Sequence, residues 1–375
     1  MVGQMDRYDL AVVGSGILGL AHALAAARRG LRVVVIDRDQ KANGASIRNF
    51  GLVVVTGQDT GPSRRRAERS RQIWLDLADE AGVQIIQRGK LVAAQRPEAL
   101  ALLEAFKAGP DGSDCELLTA REAAARLDGL DEKALVGGLY SPLELRVESR
   151  EVLPRLTSFL AERHGVEFRN GISVTSVAAP VVETSAGRLH AKKIVVCPGD
   201  DFASLYPERM GQYGIRRCKL QMLRLADPGR RFPSALTSDL SLLRYGGFSS
   251  LPQAGALRER LTGECGTALE NGVHLIVVQS ADGSLVIGDS HHYGMTLDPF
   301  GSDMVDRLIL DEFKVLFGGN APEVTARWTG TYASAGHAMI RDAPHDDVRL
   351  VIVTSGTGAS TGFAIGEETI AELFG

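Results

Sequence analysis

Residues 8–19 read Tyr-Asp-Leu-Ala-Val-Val-Gly-Ser-Gly-Ile-Leu-Gly, and they decide the fold. The apolar residues before Gly14 predict a short buried strand, and the alanine- and leucine-rich stretch that ends at Arg29 predicts a helix. Residues 31–36 are apolar on both faces, which predicts a second, parallel strand, and Asp37 closes it. A strand, a glycine turn, a helix, a strand and an acid in this order predict a dinucleotide-binding unit.

The spacing of the glycines has a chemical reason. Gly14 permits the tight turn, Gly16 lets backbone amides approach a pyrophosphate, and Gly19 lets the helix pack on the strand. The helix N-terminus offers N–H groups and a partial positive charge to phosphates. Asp37 would accept hydrogen bonds from ribose hydroxyls, which disfavours a 2′-phosphate and hence NADP. The expected cofactor contacts are Gly14, Ser15, Gly16, Ile17, Leu18, Gly19 and Asp37, and the alternative is a purely structural glycine turn.

The loop after Asp37 favours FAD over NAD. An NAD dehydrogenase usually continues into another strand–helix unit, but here a polar, glycine-bearing loop runs from Asn43 to Gly51. Such a loop can supply backbone amides and small side chains to the rest of a long cofactor. The alternative interpretation is a surface connection.

Composition narrows the class of protein. A chain of 375 residues suggests two domains, and a net charge of -4 argues against a nucleic-acid partner. No run of eighteen apolar residues occurs, so no membrane span is predicted. The four cysteines are scattered without a CxxC pair, which argues against a metal site or a disulfide scaffold and predicts a cytoplasmic location.

Further along the chain, apolar periodicity predicts the remaining elements. Helices are expected at residues 68–81, 97–107, 120–127, 149–164 and 303–316. Strands are expected at residues 83–94 with a break at Gly89, 137–140, 166–168, 218–225, 242–248 and 273–290, the last with a turn at 281–283.

Several motifs together resemble the glycine oxidase, sarcosine oxidase and D-amino acid oxidase family of FAD enzymes. They are the opening glycine turn with Asp37 and Arg38, the loop to Gly51, residues 194–199, residues 285–289, Trp328-Thr329-Gly330, and residues 350–361. They follow in the family's order over nearly the whole chain. Arg48-Asn49-Phe50-Gly51 and residues 354–361 resemble the branch associated with aminophosphonate breakdown.

The resemblance implies an α/β fold in which a Rossmann-like FAD-binding domain is interleaved with a mixed or antiparallel-sheet substrate domain, as in glutathione reductase type 2-like proteins. Residues 1–82, 147–212 and 328–375 would form the first domain, and residues 83–146 and 213–327 the second. It adds these cofactor contacts to those of the glycine turn: Arg38, Ala45, Ser46, Asn49, Phe50, Gly51, Val174, Gly199, Gly356, Thr357, Gly358, Ala359, Ser360 and Thr361.

One departure from the family concerns the substrate. Amino acid oxidases of the family commonly follow W-x-G with an arginine that pairs with the substrate carboxylate, whereas Tyr332 occupies that position here. The anion would then be held elsewhere or be of another kind, and an arginine fork suits a carboxylate or a phosphonate. The candidates are Arg48, Tyr332, Lys219, His291, His292, His337 and Arg341, with Arg48 preferred because its loop is expected beside the flavin.

The resemblance implies FAD-dependent oxidation of a small amine, with hydride passing to flavin N5 and oxygen or another group as electron acceptor. An N-substituted 2-aminoethylphosphonate, giving an aldehyde and an amine, fits the branch. The alternatives are a D-amino acid or glycine oxidase, a 2-hydroxy acid dehydrogenase, and a non-enzymatic flavoprotein subunit. Some sarcosine oxidases link flavin to a C-terminal cysteine, but no cysteine follows Cys265, which predicts noncovalent FAD.

Overall fold

The computed structural model describes residues 7–375, so residues 1–6 of the first predicted segment lie outside the described part. The strands are β1 (Arg7–Val13), β2 (Val33–Asp37), β3 (Leu52–Val53), β4 (Gln87–Ala94), β5 (Glu116–Leu118), β6 (Gly137–Arg146), β7 (Glu167–Asn170), β8 (Val174–Ala178), β9 (Val181–Thr184), β10 (Gly187–Val196), β11 (Arg216–Leu225), β12 (Ala235–Thr237), β13 (Ile276–Gln279), β14 (Leu285–Gly288), β15 (His292–Gly294), β16 (Val324–Ser334), β17 (Met339–His345) and β18 (Val348–Val353). The helices are α1 (Ile17–Ala27), α2 (Pro62–Glu80), α3 (Pro97–Ala108), α4 (Ala120–Arg126), α5 (Ser149–His164), α6 (Pro207–Gly211), α7 (Gly246–Ser249), α8 (Ala254–Glu270), α9 (Asp303–Phe317) and α10 (Gly358–Phe374).

The first sheet is the predicted dinucleotide unit extended on both sides. Its strand order is β17-β18-β10-β1-β2-β7, and the pairs from β18 to β7 are all parallel. Helices α1, α5 and α10 and the apolar face of α2 cover this sheet and each other, and their side chains form one buried cluster with β1 and β2. Because parallel strands are buried on both faces, the continuous apolar runs seen in the sequence are what this sheet requires.

The second sheet is mixed. Its strand order is β15-β11-β14-β13-β12-β4-β6-β3, with β16 added beside β11 and β5 beside β6. Its pairs are antiparallel apart from β12 with β4, which is parallel. The predicted fold class, a Rossmann-like sheet combined with a mixed sheet, is therefore confirmed.

The chain crosses between the two sheets several times. β3 lies early in the chain but pairs with β6 in the second sheet, and β16 stays on β11 as far as Ser334 before the chain enters the first sheet at Met339. The two layers are thus interleaved along the sequence. The domain boundaries given above stay a prediction. β3 and the part of β16 from residue 328 to residue 334 were assigned to the first domain, but they pair with strands of the second sheet.

The predicted helices are confirmed, with α2 beginning earlier, at Pro62. The strand expected over residues 242–248 is wrong, because Asp239–Leu243 form a 3-10 helix and Gly246–Ser249 form α7. Leu242 and Phe248 are buried, as their apolar character indicates, but they are buried from helical turns and not from a strand. A Cβ on Gly247 would lie 2.5 Å from the carbonyl oxygen of Gln58, which leaves room only for glycine.

In the part of the chain from residue 7 onward, no helix combines the length and the apolar character needed to cross a bilayer.

Candidate active site

A cavity of about 300 Å³ lies where the two sheets meet. Its wall on the side of the first sheet comes from the opening glycine turn, the loop at residues 45–50 and the residues that lead into α10. Its wall on the side of the second sheet comes from β11, β13, β16 and the segment between β12 and α8. Elements far apart in sequence therefore build one site.

The glycine turn has the backbone that a pyrophosphate needs. Gly14 adopts a φ of +104°, which favours glycine. A Cβ on Gly19 would lie 1.8 Å from the carbonyl oxygen of Gly14, so α1 can approach the turn only without a side chain there. Asp37 accepts hydrogen bonds from both the N–H and the hydroxyl of Ser15, at 2.6 and 2.8 Å, and so joins the end of β2 to the turn.

Two helix N-termini point toward this cavity. α1 begins after Gly16 and α10 begins after Thr357, and neither first turn is capped by a side chain of its N-cap residue. Both first turns contribute cavity wall. Trp74 of α2 donates its indole N–H to the carbonyl of Ala359 at 2.8 Å and holds the second of these turns in place. Paired helix N-termini favour an anionic group such as a diphosphate.

A model of the DAO family, described as FAD dependent oxidoreductase, matches residues 9–372. The chain belongs to this family. It is similar to a glycine oxidase of Geobacillus kaustophilus (strain HTA426), with 26% identity over 207 residues that cover 52% of this chain and 55% of the relative. It is also similar to one of the subunits of an opine oxidase of Agrobacterium tumefaciens (strain Ach5), with 24% identity over 237 residues that cover 58% of this chain and 63% of the relative. The matched stretches thus span between half and two thirds of these relatives.

Solved structures give the same fold. The glycine oxidase from Geobacillus kaustophilus superposes with a TM-score of 0.75 at 20% identity, covering 98% of this chain and 94% of that one. An L-proline dehydrogenase from P. horikoshii superposes with a TM-score of 0.79 at 19% identity, covering 98% of this chain and 93% of that one. At these identities the superpositions establish the fold.

The family is one of FAD-dependent oxidoreductases, and the site of this chain fits the cofactor. Asp37 would hold the adenosine ribose, the turn at Gly14–Gly19 the diphosphate, and the loop at residues 45–50 together with the glycine loop that leads into α10 the flavin end. Of the predicted cofactor contacts, those that line the cavity are Gly16, Ile17, Leu18, Gly19, Ala45, Ser46, Asn49, Phe50, Gly199, Gly356, Thr357, Gly358, Ala359 and Ser360.

The other predicted cofactor residues lie behind or beside the wall. Ser15 and Asp37 support the turn, Gly51 packs against the carbonyl of Val147, and Arg38 forms an ion pair with Asp201 at 2.8 Å. Val174 begins β8, in the hairpin beside the first sheet, and Thr361 is buried within α10. Their contact with cofactor stays a prediction.

The candidate substrate residues separate into two groups. Arg48, Tyr332 and His291 line the cavity. The rest have partners elsewhere: Lys219 donates to the carbonyls of Asp298 and Phe300, Arg341 pairs with Glu368 and Glu372, His292 Nε2 lies 3.1 Å from Asn271 Oδ1, and the carbonyl of His337 accepts from Thr354. The structure therefore brings three of the seven together.

Four residues that the sequence did not single out also line the cavity: Arg244, Tyr245, His274 and Asp289. His274 Nε2 lies 3.0 Å from Asp289 Oδ1, and His274 Nδ1 lies 3.0 Å from the hydroxyl of Ser241. A histidine directly before one apolar strand and an aspartate directly after the next were visible signals, because neighbouring antiparallel strands bring such residues together.

Burial and nearby charges shift the pKa values of three ionisable groups in this part of the cavity wall. Burial opposes ionisation of Asp289, yet its pKa lies below the ordinary value because the two histidines and the Arg244 guanidinium favour the carboxylate. Burial lowers the pKa of His291 to about 3, so that imidazole is neutral near pH 7. Burial raises the pKa of the Tyr332 phenol well above its ordinary value, so it stays protonated.

Proposed function

We propose that the protein oxidises a small amine that also carries an anionic group, with an N-substituted 2-aminoethylphosphonate as the preferred substrate. The observation that carries this proposal is the charge pattern of the cavity wall, to which two arginines, Arg48 and Arg244, and the acids Asp59 and Asp289 contribute. A molecule with a cationic nitrogen and an anionic end matches that pattern.

The arginines would hold the anion. Arg244 donates to the phenol of Tyr293 at 3.2 Å and Arg48 donates to the amide oxygen of Asn43 at 2.9 Å, and each guanidinium has further N–H groups for a ligand. A phosphonate offers three oxygens and suits two arginines, whereas a single carboxylate is satisfied by one fork. The tyrosine after the W-x-G motif is consistent with a substrate whose anion is held from another direction.

Bound FAD would supply the hydride acceptor, and the protein would supply orientation. The loop at residues 45–50 packs against β16, where a Cβ on Gly330 would lie 2.8 Å from the carbonyl oxygen of Arg48. This close contact fixes the loop at the flavin end of the cavity. Leu220, which pairs with Gly330 in the sheet, and Tyr332 also line the cavity and would shield the substrate carbon from water.

Anaerobic reduction of the flavin tests the proposal. The holoprotein would be mixed without oxygen with glycine, sarcosine, D-alanine, 2-aminoethylphosphonate and N-methyl-2-aminoethylphosphonate, and the loss of flavin absorbance followed. We expect the N-methylated phosphonate to bleach the flavin fastest. A clear preference for D-alanine would favour a D-amino acid oxidase instead. Lactate would be added to the panel as a 2-hydroxy acid, and bleaching by lactate alone would favour a hydroxy acid dehydrogenase.

A second candidate is a flavoprotein that works as one component of a larger complex, because one relative is named as a subunit of an opine oxidase. In that case the isolated chain would keep its flavin oxidised with every amine of the panel. Reoxidation of bleached enzyme by air, compared with an artificial dye, would then identify oxygen or another group as the electron acceptor.

A further inference from the structure

Asp289 is a buried carboxylate with unfilled hydrogen-bonding capacity. It directly follows β14, exposes 4% of its surface and lines the cavity. Among residues 7–375, no aligned hydrogen bond reaches its Oδ1, although His274 Nε2 lies 3.0 Å away. A buried charge of this kind is costly unless a cation or a donor compensates it. Oδ1 is enclosed beside His274, so the oxygen that a ligand in the cavity can reach is Oδ2.

His291 does not provide the missing donor. Its Nδ1 lies 2.9 Å from the carbonyl oxygen of Gly272, and since a carbonyl only accepts, Nδ1 carries the proton of the neutral ring. The Nε2 atom then presents a lone pair, 3.9 Å from Asp289 Oδ2. A neutral His291 thus adds a second acceptor beside the carboxylate and donates no hydrogen bond to Oδ2.

His274 fixes the position of the carboxylate. It bridges Ser241 and Asp289, with 3.0 Å on each side, and all three residues are buried. Arg244 lines the same cavity but points its guanidinium at Tyr293, and in the described part of the chain no ion pair joins Arg244 to Asp289. The carboxylate therefore has His274 close to Oδ1, and Oδ2 is left without a hydrogen-bond partner in the described part of the chain.

We infer that Asp289 binds the protonated nitrogen of the incoming substrate through Oδ2, the carboxylate oxygen that is not enclosed, with His274 as the positioning residue at Oδ1. This inference rests on the proposed function and adds the group that recognises the amine. The rings of Tyr245 and Tyr332 pack against His274 and His291, with centroids 6.5 and 6.3 Å apart, and they give the N-alkyl substituent an aromatic surface. Asp289 at the nitrogen and the arginines at the anion together select a zwitterion.

A metal ion is the competing occupant. Ligand atoms of His274, Asp289 and His291 lie within 4.8 Å of one another. Ligands at 2.0–2.1 Å around a tetrahedral zinc lie about 3.4 Å apart. The 3.9 Å between His291 Nε2 and Asp289 Oδ2 exceeds that separation, which favours a larger, hydrogen-bonding cation such as an ammonium group.

The test uses methylammonium chloride as the probe and the FAD-loaded protein. Its binding would be followed by the change in flavin absorbance in the wild type, in Asp289→Asn and in Asp59→Asn, which alters an exposed carboxylate of the same cavity. We expect binding to weaken about 10- to 100-fold in D289N, the effect of losing a charged hydrogen bond, and to stay within about two-fold in D59N. Equal binding by D289N and wild type, or no saturable change with the wild type, would overturn the inference.

A second measurement, made on the wild type alone, serves if the D289N protein does not retain FAD. In the wild type, methylammonium should bind and methanol, a neutral molecule of similar size, should not. Equal responses to the two would contradict a carboxylate that recognises a cation. Stoichiometric zinc in the purified wild type, measured by plasma mass spectrometry and absent from D289N, would assign the three side chains to a metal and also overturn the inference.

The outcomes separate this inference from the proposed function. If no amine bleaches the flavin but methylammonium binding depends on Asp289, the proposed function fails and the nitrogen site stands. If an amine bleaches the flavin and D289N keeps the same KM for it, the inference fails and the proposed function stands.

Discussion

Asp37 and Ser15 are joined by two hydrogen bonds, since one carboxylate oxygen accepts from the backbone N–H of Ser15 at 2.6 Å and from its hydroxyl at 2.8 Å. The other carboxylate oxygen accepts from the N–H of Asp39 at 2.9 Å. The acid that closes β2 therefore sets the shape of the phosphate turn in addition to its expected contact with ribose.

Asp37→Asn should weaken FAD binding about 10- to 100-fold, because an amide replaces a charged acceptor at both the turn and the ribose. Fluorescence of released flavin, titrated against apoprotein, measures the change in Kd. Asp39→Asn is the matched control, since it alters a nearby carboxylate outside the turn. An unchanged Kd in D37N would show that the acid has no role in cofactor binding.

Gly19→Ala should abolish retention of FAD, because the added methyl group would lie 1.8 Å from the carbonyl oxygen of Gly14 and push α1 away from the turn. The ratio of flavin to protein absorbance after purification measures retention. Gly44→Ala is the control, because no atom lies within 4 Å of a Cβ placed there. A yellow G19A protein with the wild-type ratio would contradict the tight approach.

Arg244→Met should raise the KM for an anionic amine about 10- to 100-fold, because it removes a charge-assisted contact with the anion. Arg216→Met is the control, since Arg216 stacks on the same Tyr293 at 4.3 Å but is not among the residues of the cavity wall. Steady-state kinetics with the best amine of the panel decide the point. A similar rise in KM for R216M would trace the effect to Tyr293 and not to the substrate anion.

FAD should be bound without a covalent link. Cys197 lies in the cavity wall, and burial raises the pKa of its thiol far above the ordinary value, so it stays an unreactive thiol. Precipitation with acid should leave the flavin in the supernatant, where its spectrum is recorded. Colour that stays with the pellet would contradict the expectation.

His22 should make the protein sensitive to acid. Burial lowers the pKa of His22 from 6.5 to about 4. As the pH falls from 6.5 toward 4, His22 therefore binds a proton in the unfolded chain but not in the folded chain. The free energy of unfolding therefore falls as pH drops through this window, by up to about 3 kcal/mol for this group. His22→Leu should lose less stability than the wild type between pH 6.5 and pH 4 in urea unfolding.

His345→Gln, at an exposed histidine, is the control and should keep the wild-type dependence of the free energy of unfolding on pH. The same pH dependence in H22L and in the wild type would show that His22 does not contribute.

The cofactor half of the site could be predicted because its signals are local. The turn at Gly14–Gly19 and the acid at Asp37 lie within one strand–helix–strand unit, so spacing alone fixes their geometry. The loop that carries Arg48 was also placed correctly at the cavity, on the strength of the family resemblance.

The substrate half could not be predicted in the same way. Residues 242–248 were predicted to form a strand, and a strand at that place would not single out Arg244. Lys219 and Arg341 were candidates by residue type, but the side chain of each has partners outside the cavity, and His337 is not part of the cavity wall. Residue type alone does not show which cation is paired.

The sequence by itself determined the fold class and the FAD-binding unit, because short-range glycine and strand signals dictate backbone shape within a few dozen residues. Only the tertiary structure decided that Asp289, His274 and Arg244 meet in one cavity. They come from different parts of the second sheet and its connections, and long-range strand pairing, which no local pattern specifies, brings their charges together.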